Sequence, residues 1–372
     1  MKTIIFIPPN GTMYNQDFSI QRVTNYLFNK DTYKTVLLKI NKSSENNKMY
    51  NVDKIINVTS QDEILETLKR EKYDYIFHRS WMGAYSFAAL LSKNFNNVIV
   101  NIKDWNFATK KEYSIMLDEK QVEDFDAITS IFSNSKKVLS HYSKEQALIW
   151  SKNYRVDIDK FIFFPEYCNE ENFNNKKDID LSILKLVYAG SMCPNSFPES
   201  HFPCKSLFRS VRLLSSKGIE VNYVLVKSAF DATQDHRKEL FLDILYEDKF
   251  NKFFNLKEGK SLDSSILNKY HYGFFHLEDT TENQGLTQYA VPSKFAFYLE
   301  AGLPILINEK WKTISALVKK YNLGIVFSNE ELDNLDIKLN KISQSEYLSF
   351  IESLTLFRNT YTYSSNIDRV LV

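Results

Sequence analysis

The chain has 372 residues, 44% hydrophobic and 25% charged, with a formal net charge of +1. That length exceeds one ordinary hydrophobic core, so two domains are expected, and the composition is that of a soluble globular protein. A charge this close to zero, with no block of like sign, argues against a nucleic-acid partner, and no apolar run approaches the roughly 18 residues of a membrane-crossing helix.

Met1 to Pro9 carries one lysine and a four-residue apolar run. This is too short for a signal-peptide core and reads as a first buried strand. From there short apolar runs alternate with helix-like segments. Strands are expected at 3–7, 35–39, 54–57, 75–78, 98–102, 127–130 and 137–140, with helices at 17–29, 61–71, 83–93, 121–125 and 144–153. Alternation of this kind predicts a parallel, doubly wound sheet. A further apolar run at 161–165 is followed by a polar, Asn-rich stretch, 166–181, that reads as a linker.

The pattern then restarts. Strands are expected at 184–189, 221–226, 253–256, 272–276, 305–307 and 324–327. Helices are expected at 203–217, 237–248, 261–270, 312–321 and 343–360. The predicted fold is therefore α/β, with two Rossmann-like doubly wound lobes facing across a cleft. The expected divisions are 1–170 for an N-terminal acceptor-binding lobe and 182–345 for a C-terminal lobe. A helix in 346–372 would pack back on the first lobe. In such sheets ligands bind beyond the carboxyl ends of the strands, so strand-exit residues are the candidates.

Asn10 and Gly11 follow the first strand and would let backbone approach a ligand closely; an ordinary tight turn explains them equally well. The loop is not G-x-G-x-x-G, so dehydrogenase-type dinucleotide binding has no support. His78 and Arg79 close the fourth strand, where the imidazole could orient or deprotonate a hydroxyl and the guanidinium hold a charge. Asp104 and Trp105 follow the fifth strand, where an acceptor would enter. Asp104 is the first choice for a catalytic or acceptor-binding carboxylate, its alternative being a helix cap. In the second half, Gly190 and Ser191 end one strand, Lys227 ends the next, and His276 ends the strand before the most informative stretch of the chain.

That stretch runs from Tyr289 to Ile307. Pro292 and Ser293 mark a helix start whose first N–H groups could meet an anion, with Ser293 as a cap. Lys294 puts a cation against the helix dipole, which suggests a bound negative group. Phe295, Tyr298 and Leu299 form a packing face. Gly302 stops the helix, Pro304 blocks its continuation, and the strand follows.

Other chemistries find little support. Three cysteines, Cys168, Cys193 and Cys204, share no C-x-x-C spacing, which predicts a reducing compartment without disulfides or structural zinc. The six histidines are scattered, so no metal site is expected. Asp-x-Asp pairs at 124/126, 157/159 and 178/180 read as solvated carboxylates, and a G-x-S-x-G elbow is absent.

The strand ending Val187-Tyr-Ala-Gly-Ser191, with Pro292-Ser-Lys294, Tyr298-Leu299 and Ala301-Gly302-Leu-Pro304-Ile305 about 100 residues on, is similar to the nucleotide-sugar lobe of bacterial GT-B glycosyltransferases. Streptococcal adhesin glucosyltransferases and galactofuranosyltransferase-like enzymes belong to that group. The resemblance covers roughly residues 184–330. It implies transfer of a sugar from a nucleoside diphosphate sugar, with UDP favoured, to a glycan, lipid-linked or protein-linked hydroxyl in surface-glycan synthesis. Lys294 and the Ser293 backbone would hold the diphosphate, Gly190 and Ser191 would close over it, and Lys227 would add a further contact. Pro292, Tyr289, His276 and the loop 278–288 would complete the donor side.

Two positions depart from the family pattern: Tyr289 and Phe297 stand where a pair of glutamates holds the ribose in many relatives, and Glu300 lies on another helix face. No cofactor or metal is implied. The resemblance favours retention by front-side attack, since many families with this C-terminal lobe retain; inversion is the alternative and would need a base of the Asp104 or His78 kind. A cytoplasmic location is expected, compatible with peripheral contact at the inner face of the membrane and with a homo-oligomer. A catalytically silent GT-B subunit and a nucleotide-sugar 2-epimerase are the alternatives.

Overall fold

A computed structural model describes residues 1–12, 18–28, 30–41, 50–103, 105, 124–175, 180–190, 204–226, 238–259, 264–276 and 288–371. Contacts divide the chain into two compact units, Met1–Glu166 with Tyr363–Val372, and Tyr167–Thr362.

The first unit holds seven parallel strands: β1 (Lys2–Ile7), β2 (Tyr33–Ile40), β3 (Lys54–Val58), β4 (Tyr75–Ser80), β5 (Val98–Ile102), β6 (Lys137–Ser140) and β7 (Phe161–Phe163). Their order is β3-β2-β1-β4-β5-β6-β7. Central strands covered on both faces read as continuous apolar runs. Ile4, Ile5, Phe6 and Ile7 of β1 are accordingly all buried. The crossovers include helices Phe18–Phe28, Gln61–Arg70, Tyr85–Asn94 and Lys144–Tyr154.

One expected strand is instead a helix, Ala127–Asn134. The apolar residues there, Ile128, Ile131 and Phe132, are buried together, and their i, i+3, i+4 spacing is a helical stripe that a four-residue window cannot separate from a strand.

The second unit repeats the design with β8 (Lys185–Gly190), β9 (Glu220–Val226), β10 (Phe254–Gly259), β11 (Tyr272–Phe275), β12 (Ile305–Asn308) and β13 (Gly324–Phe327), in the order β10-β9-β8-β11-β12-β13. Its core gathers Leu186, Val221, Tyr223, Leu225, Phe274 and Leu306 from the strands with Val211, Ile244 and Tyr347 from the helices. In both sheets the strand order reverses once, between β1 and β4 and between β8 and β11, and each reversal is a topological switch point.

The stretch expected as a linker does not run free. Residues 167–175 belong to the second unit, where Cys168 bridges to Thr362 and Asn169 N–H donates to the Glu300 carboxylate at 2.7 Å. Arg358 donates to the Asn174 carbonyl at 2.8 Å and to Asn175 Oδ1 at 2.7 Å, while its guanidinium lies 4.4 Å from the Phe173 ring centroid. Helix Gln344–Thr360 also lies in this unit, so only the last ten residues, including helices Tyr363–Asn366 and Asp368–Leu371, belong with the first. No described helix is long and apolar enough to cross a membrane.

Candidate functional site

In the second unit the helix of the informative stretch spans Lys294–Glu300, and Phe295 through Glu300 are all buried. Its start differs from expectation. Ser293 is itself helical (φ −53°, ψ −33°) and its side chain makes no capping bond. Phe295 N–H donates to the Pro292 carbonyl at 3.0 Å and Phe297 N–H to the Ser293 carbonyl at 3.5 Å, so those two donors are already used. The charge at this end comes from the Lys294 side chain rather than from a capped turn.

Lys294 Nζ lies 3.6 Å from the centroid of the Tyr188 ring and 5.8 Å from that of Phe275. Aromatic faces hold an ammonium by their quadrupole while keeping water from one side of it. Two residues beyond Tyr188, β8 ends at Gly190 with φ +146°, a conformation that L side chains rarely adopt. A Cβ built there would stand 3.7 Å from both Cε and Nζ of Lys294. The fold thus brings Gly190 and Lys294 together from opposite ends of the implied donor motif.

The remaining donor-side candidates sit as follows. His276 is 3% exposed, its ring parallel to those of Phe274 and Phe327 at 6.2 and 5.8 Å. Tyr289 is half-buried with Lys312 Nζ 5.8 Å from its ring centroid. Phe297 is buried in the core, and Glu300 spends its carboxylate on Asn169, which explains why a glutamate is there without serving a ribose. Ser191, Lys227 and residues 278–287 lie outside the described residues.

In the first unit the strand exits hold a buried polar cluster. Arg79, 2% exposed, donates to Asn101 Oδ1 at 2.7 Å, and its Nη2 lies 3.7 Å from Glu166 Oε1. Ser19 Oγ–H donates to the same carboxylate oxygen. Burial pushes the Glu166 carboxyl up, but Lys103, Arg79, the Ser19 hydroxyl and His141 together outweigh it and hold the pKa at about 2. Sequence reasoning found Arg79 and missed Glu166 and Ser19. The only signal was the position of Glu166 just beyond the apolar run that became β7.

His78 is a core residue here, fully buried, with Nδ1–H donating to the Ile7 carbonyl at 3.0 Å across the β1–β4 switch point. Nε2 has no hydrogen-bond partner among the described residues, and burial lowers the imidazole pKa to about 3. The ring is therefore neutral at pH 7 and a weak base as placed. Trp105, expected near an acceptor, is 1% exposed and packs edge-on against Tyr85 at 5.3 Å. Asp104 lies outside the described residues.

Asn10 (φ +50°) donates through Nδ2 to the Gly83 carbonyl at 3.0 Å. Gly11 (φ +74°) is buried, and a Cβ there would come within 2.5 Å of Ile64 Cδ1. Close packing of the turn is reason enough for a glycine at this position.

Asp124 corrects a second expectation. It is 5% exposed rather than solvated, accepting from Gly83 N–H at 2.9 Å and from Ser86 N–H, at the start of helix Tyr85–Asn94. It satisfies helix-start donors that no local side chain caps. Asp124→Ala should lower unfolding stability by about 1–2 kcal/mol, read from urea denaturation.

Among the described residues, no group of three or more His, Cys, Asp or Glu is placed to hold a metal ion.

Two parallel doubly wound units with these strand orders are those of the GT-B glycosyltransferase fold, and solved structures agree. Anabaena HepE in complex with UDP-glucose superposes with a TM-score of 0.67 at 10% identity, covering 100% of this chain and 98% of that one. WaaG, a glycosyltransferase involved in lipopolysaccharide biosynthesis, gives 0.57 at 12% identity with 100% and 99% covered. A Rickettsia africae glycosyltransferase gives 0.62 at 12% identity with 100% and 97% covered. At these identities the likeness is one of fold. Residues 234–372, which include the Lys294 helix, match the family model of the Glucosyltransferase 3-like, C-terminal domain. Compared with curated protein sequences, the chain has no match.

Proposed function

We propose that this protein is a glycosyltransferase that moves a sugar from a nucleoside diphosphate sugar, UDP-linked by preference, to a hydroxyl of a glycan, lipid-linked or protein-linked acceptor in bacterial surface-glycan synthesis. The observation that carries the reading is the approach of Lys294 Nζ to the Gly190 turn, 3.7 Å from a Cβ built there, beside the β8–β11 switch point. In open parallel sheets that crevice is where nucleotides bind. The match of residues 234–372 to a glucosyltransferase domain, and the UDP-glucose bound by HepE on the same fold, support the same ligand class.

Chemically, the leaving diphosphate needs compensating charge as the glycosidic bond breaks. An ammonium held against the Tyr188 and Phe275 rings would supply it without a divalent ion. The glycine at 190 holds a φ of +146° that L side chains rarely adopt and leaves the main chain bare beside Lys294, where a phosphate can come close. On the acceptor side, a buried imidazole with a pKa of about 3 makes His78 a poor general base. Asp104 is then the candidate base for an inverting course, while retention by front-side attack needs none, because the leaving phosphate takes the acceptor proton.

A thermal-shift panel of UDP-, GDP- and CMP-linked sugars tests the reading. Stabilisation by at least one UDP-sugar is expected, since a ligand present at 100 times its Kd adds about 2.7 kcal/mol. No shift with any member of the panel would remove the transferase reading.

A further inference from the structure

Tyr298 belongs to the Lys294 helix, yet its hydroxyl serves a strand that the helix does not directly join. On the β9 side, β8 is paired along its whole length, from Lys185 with Glu220 to Gly190 with Leu225. On the β11 side, pairing is confined to Leu186 with Tyr272 and Val187 with Gly273. Beyond Val187 the two strands diverge. A parallel pair that diverges strands the main-chain groups of its inner strand without ladder partners.

The Tyr298 hydroxyl fills that gap. It accepts from Ala189 N–H at 2.9 Å and donates to the Val187 carbonyl at 3.1 Å. In a parallel ladder one neighbouring residue does the same, taking the N–H of residue i+1 and giving its own to the carbonyl of residue i−1. The phenol thus stands in for the missing strand residue opposite Tyr188. It reaches that far because Gly273 leaves room: a Cβ on residue 273 would lie 2.3 Å from Tyr298 Cδ2. The Phe275 ring packs edge-on at 5.3 Å. The side chain is fully buried, and burial pushes the phenol pKa up, so the hydroxyl keeps its proton and its donor role.

Lys294 lies four residues before Tyr298, on the same face of one helical turn. One face of this helix therefore presents an ammonium to the Gly190 turn and anchors the strand leading into it. We infer that Tyr298 is a positioning residue for the donor diphosphate, fixing the separation between the Gly190 main chain and Lys294 Nζ by holding the splayed end of β8. The inference rests on the proposed reading of Gly190 and Lys294 as the diphosphate site.

Tyr298→Phe tests it, because the ring and its packing stay while the hydroxyl leaves. Calorimetric Kd for UDP and steady-state KM for the UDP-sugar should both rise roughly five- to tenfold, with acceptor KM unchanged. Tyr347→Phe is the comparison. That hydroxyl is also buried and donates to a main-chain carbonyl, His271 O at 2.6 Å, at the other end of β11. It should lower the melting temperature by a similar amount with UDP affinity and donor KM unaltered. Wild-type UDP affinity and donor KM in Tyr298→Phe, with only the melting temperature lowered, would overturn the inference. Failure of the wild-type protein to bind UDP at all is a separate result, and it would remove the donor reading and this inference together.

Discussion

Lys294→Ala should lower kcat/KM for sugar transfer by roughly 10²–10³-fold, about 3–4 kcal/mol of transition-state stabilisation, the scale found when one preorganised donor to a developing anion is removed. The loss should appear in donor KM as well as in kcat, because Lys294 holds the diphosphate in the ground state and the charge on it grows as the sugar departs. Stability should change little by comparison. The ammonium lies over the Tyr188 and Phe275 rings, and losing such contacts removes on the order of 0.5–2 kcal/mol. Lys294→Arg keeps the charge but replaces a compact ammonium with a planar fork, so partial activity is expected. Turnover of Lys294→Ala within a few-fold of wild type would place the leaving-group stabiliser elsewhere.

The second large effect concerns folding of the first unit. Glu166→Gln should cost about 3 kcal/mol at pH 7, measured by urea denaturation, because the buried Arg79 guanidinium loses the carboxylate charge 3.7 Å from its Nη2. The sign with pH follows from the depressed carboxyl. The folded-state pKa is about 2 against an ordinary 4.5, so the stabilisation is complete above pH 4.5 and is lost as pH falls through about 2. His78 acts in the same direction over a different window. Its folded-state pKa of about 3 lies below the ordinary 6.5, so acidification below pH 6.5 protonates the unfolded chain first and lowers stability down to about pH 3. Glu166→Gln should therefore flatten the decline between pH 4.5 and 2 and keep the decline between pH 6.5 and 4.5. A variant whose acid limb matches wild type throughout would show that Glu166 is not ionised in the folded protein as described.

The strands of both sheets were legible because central parallel strands are apolar on two faces and stand out as runs, β1 and β12 most clearly, whereas their order in each sheet came only from the pairing. The boundaries of β5, β6 and β13 fell where the sequence put them. Residues 127–134 were read as strand because a short window holding Ile128, Ile131 and Phe132 lacks the length that separates periods of 2 and 3.6.

Of the candidate site, Lys294 and Gly190 were legible because each stands in its own short local motif, a strand exit and a helix start, with a chemically unambiguous residue. Glu166 and Asp124 could not. Each is a carboxylate in a polar stretch whose partners come from far along the chain: Ser19 lies 147 residues from Glu166, and Gly83 lies 41 from Asp124. Burial of such groups is decided by the packing of strand exits, which hydropathy does not record. Tyr298 was seen as a packing residue, and its ring does pack. The work of its hydroxyl depends on where β8 and β11 part, which only the pairing register reveals.

The most direct measurement is an isothermal titration of the wild-type protein and of Lys294→Ala with UDP. Saturable binding at one site per chain, weakened at least tenfold in Lys294→Ala, is the expected result. Equal affinity of the two proteins for UDP, or no heat from the wild type with UDP, GDP or CMP, would contradict a diphosphate site built on Lys294 and the Gly190 turn.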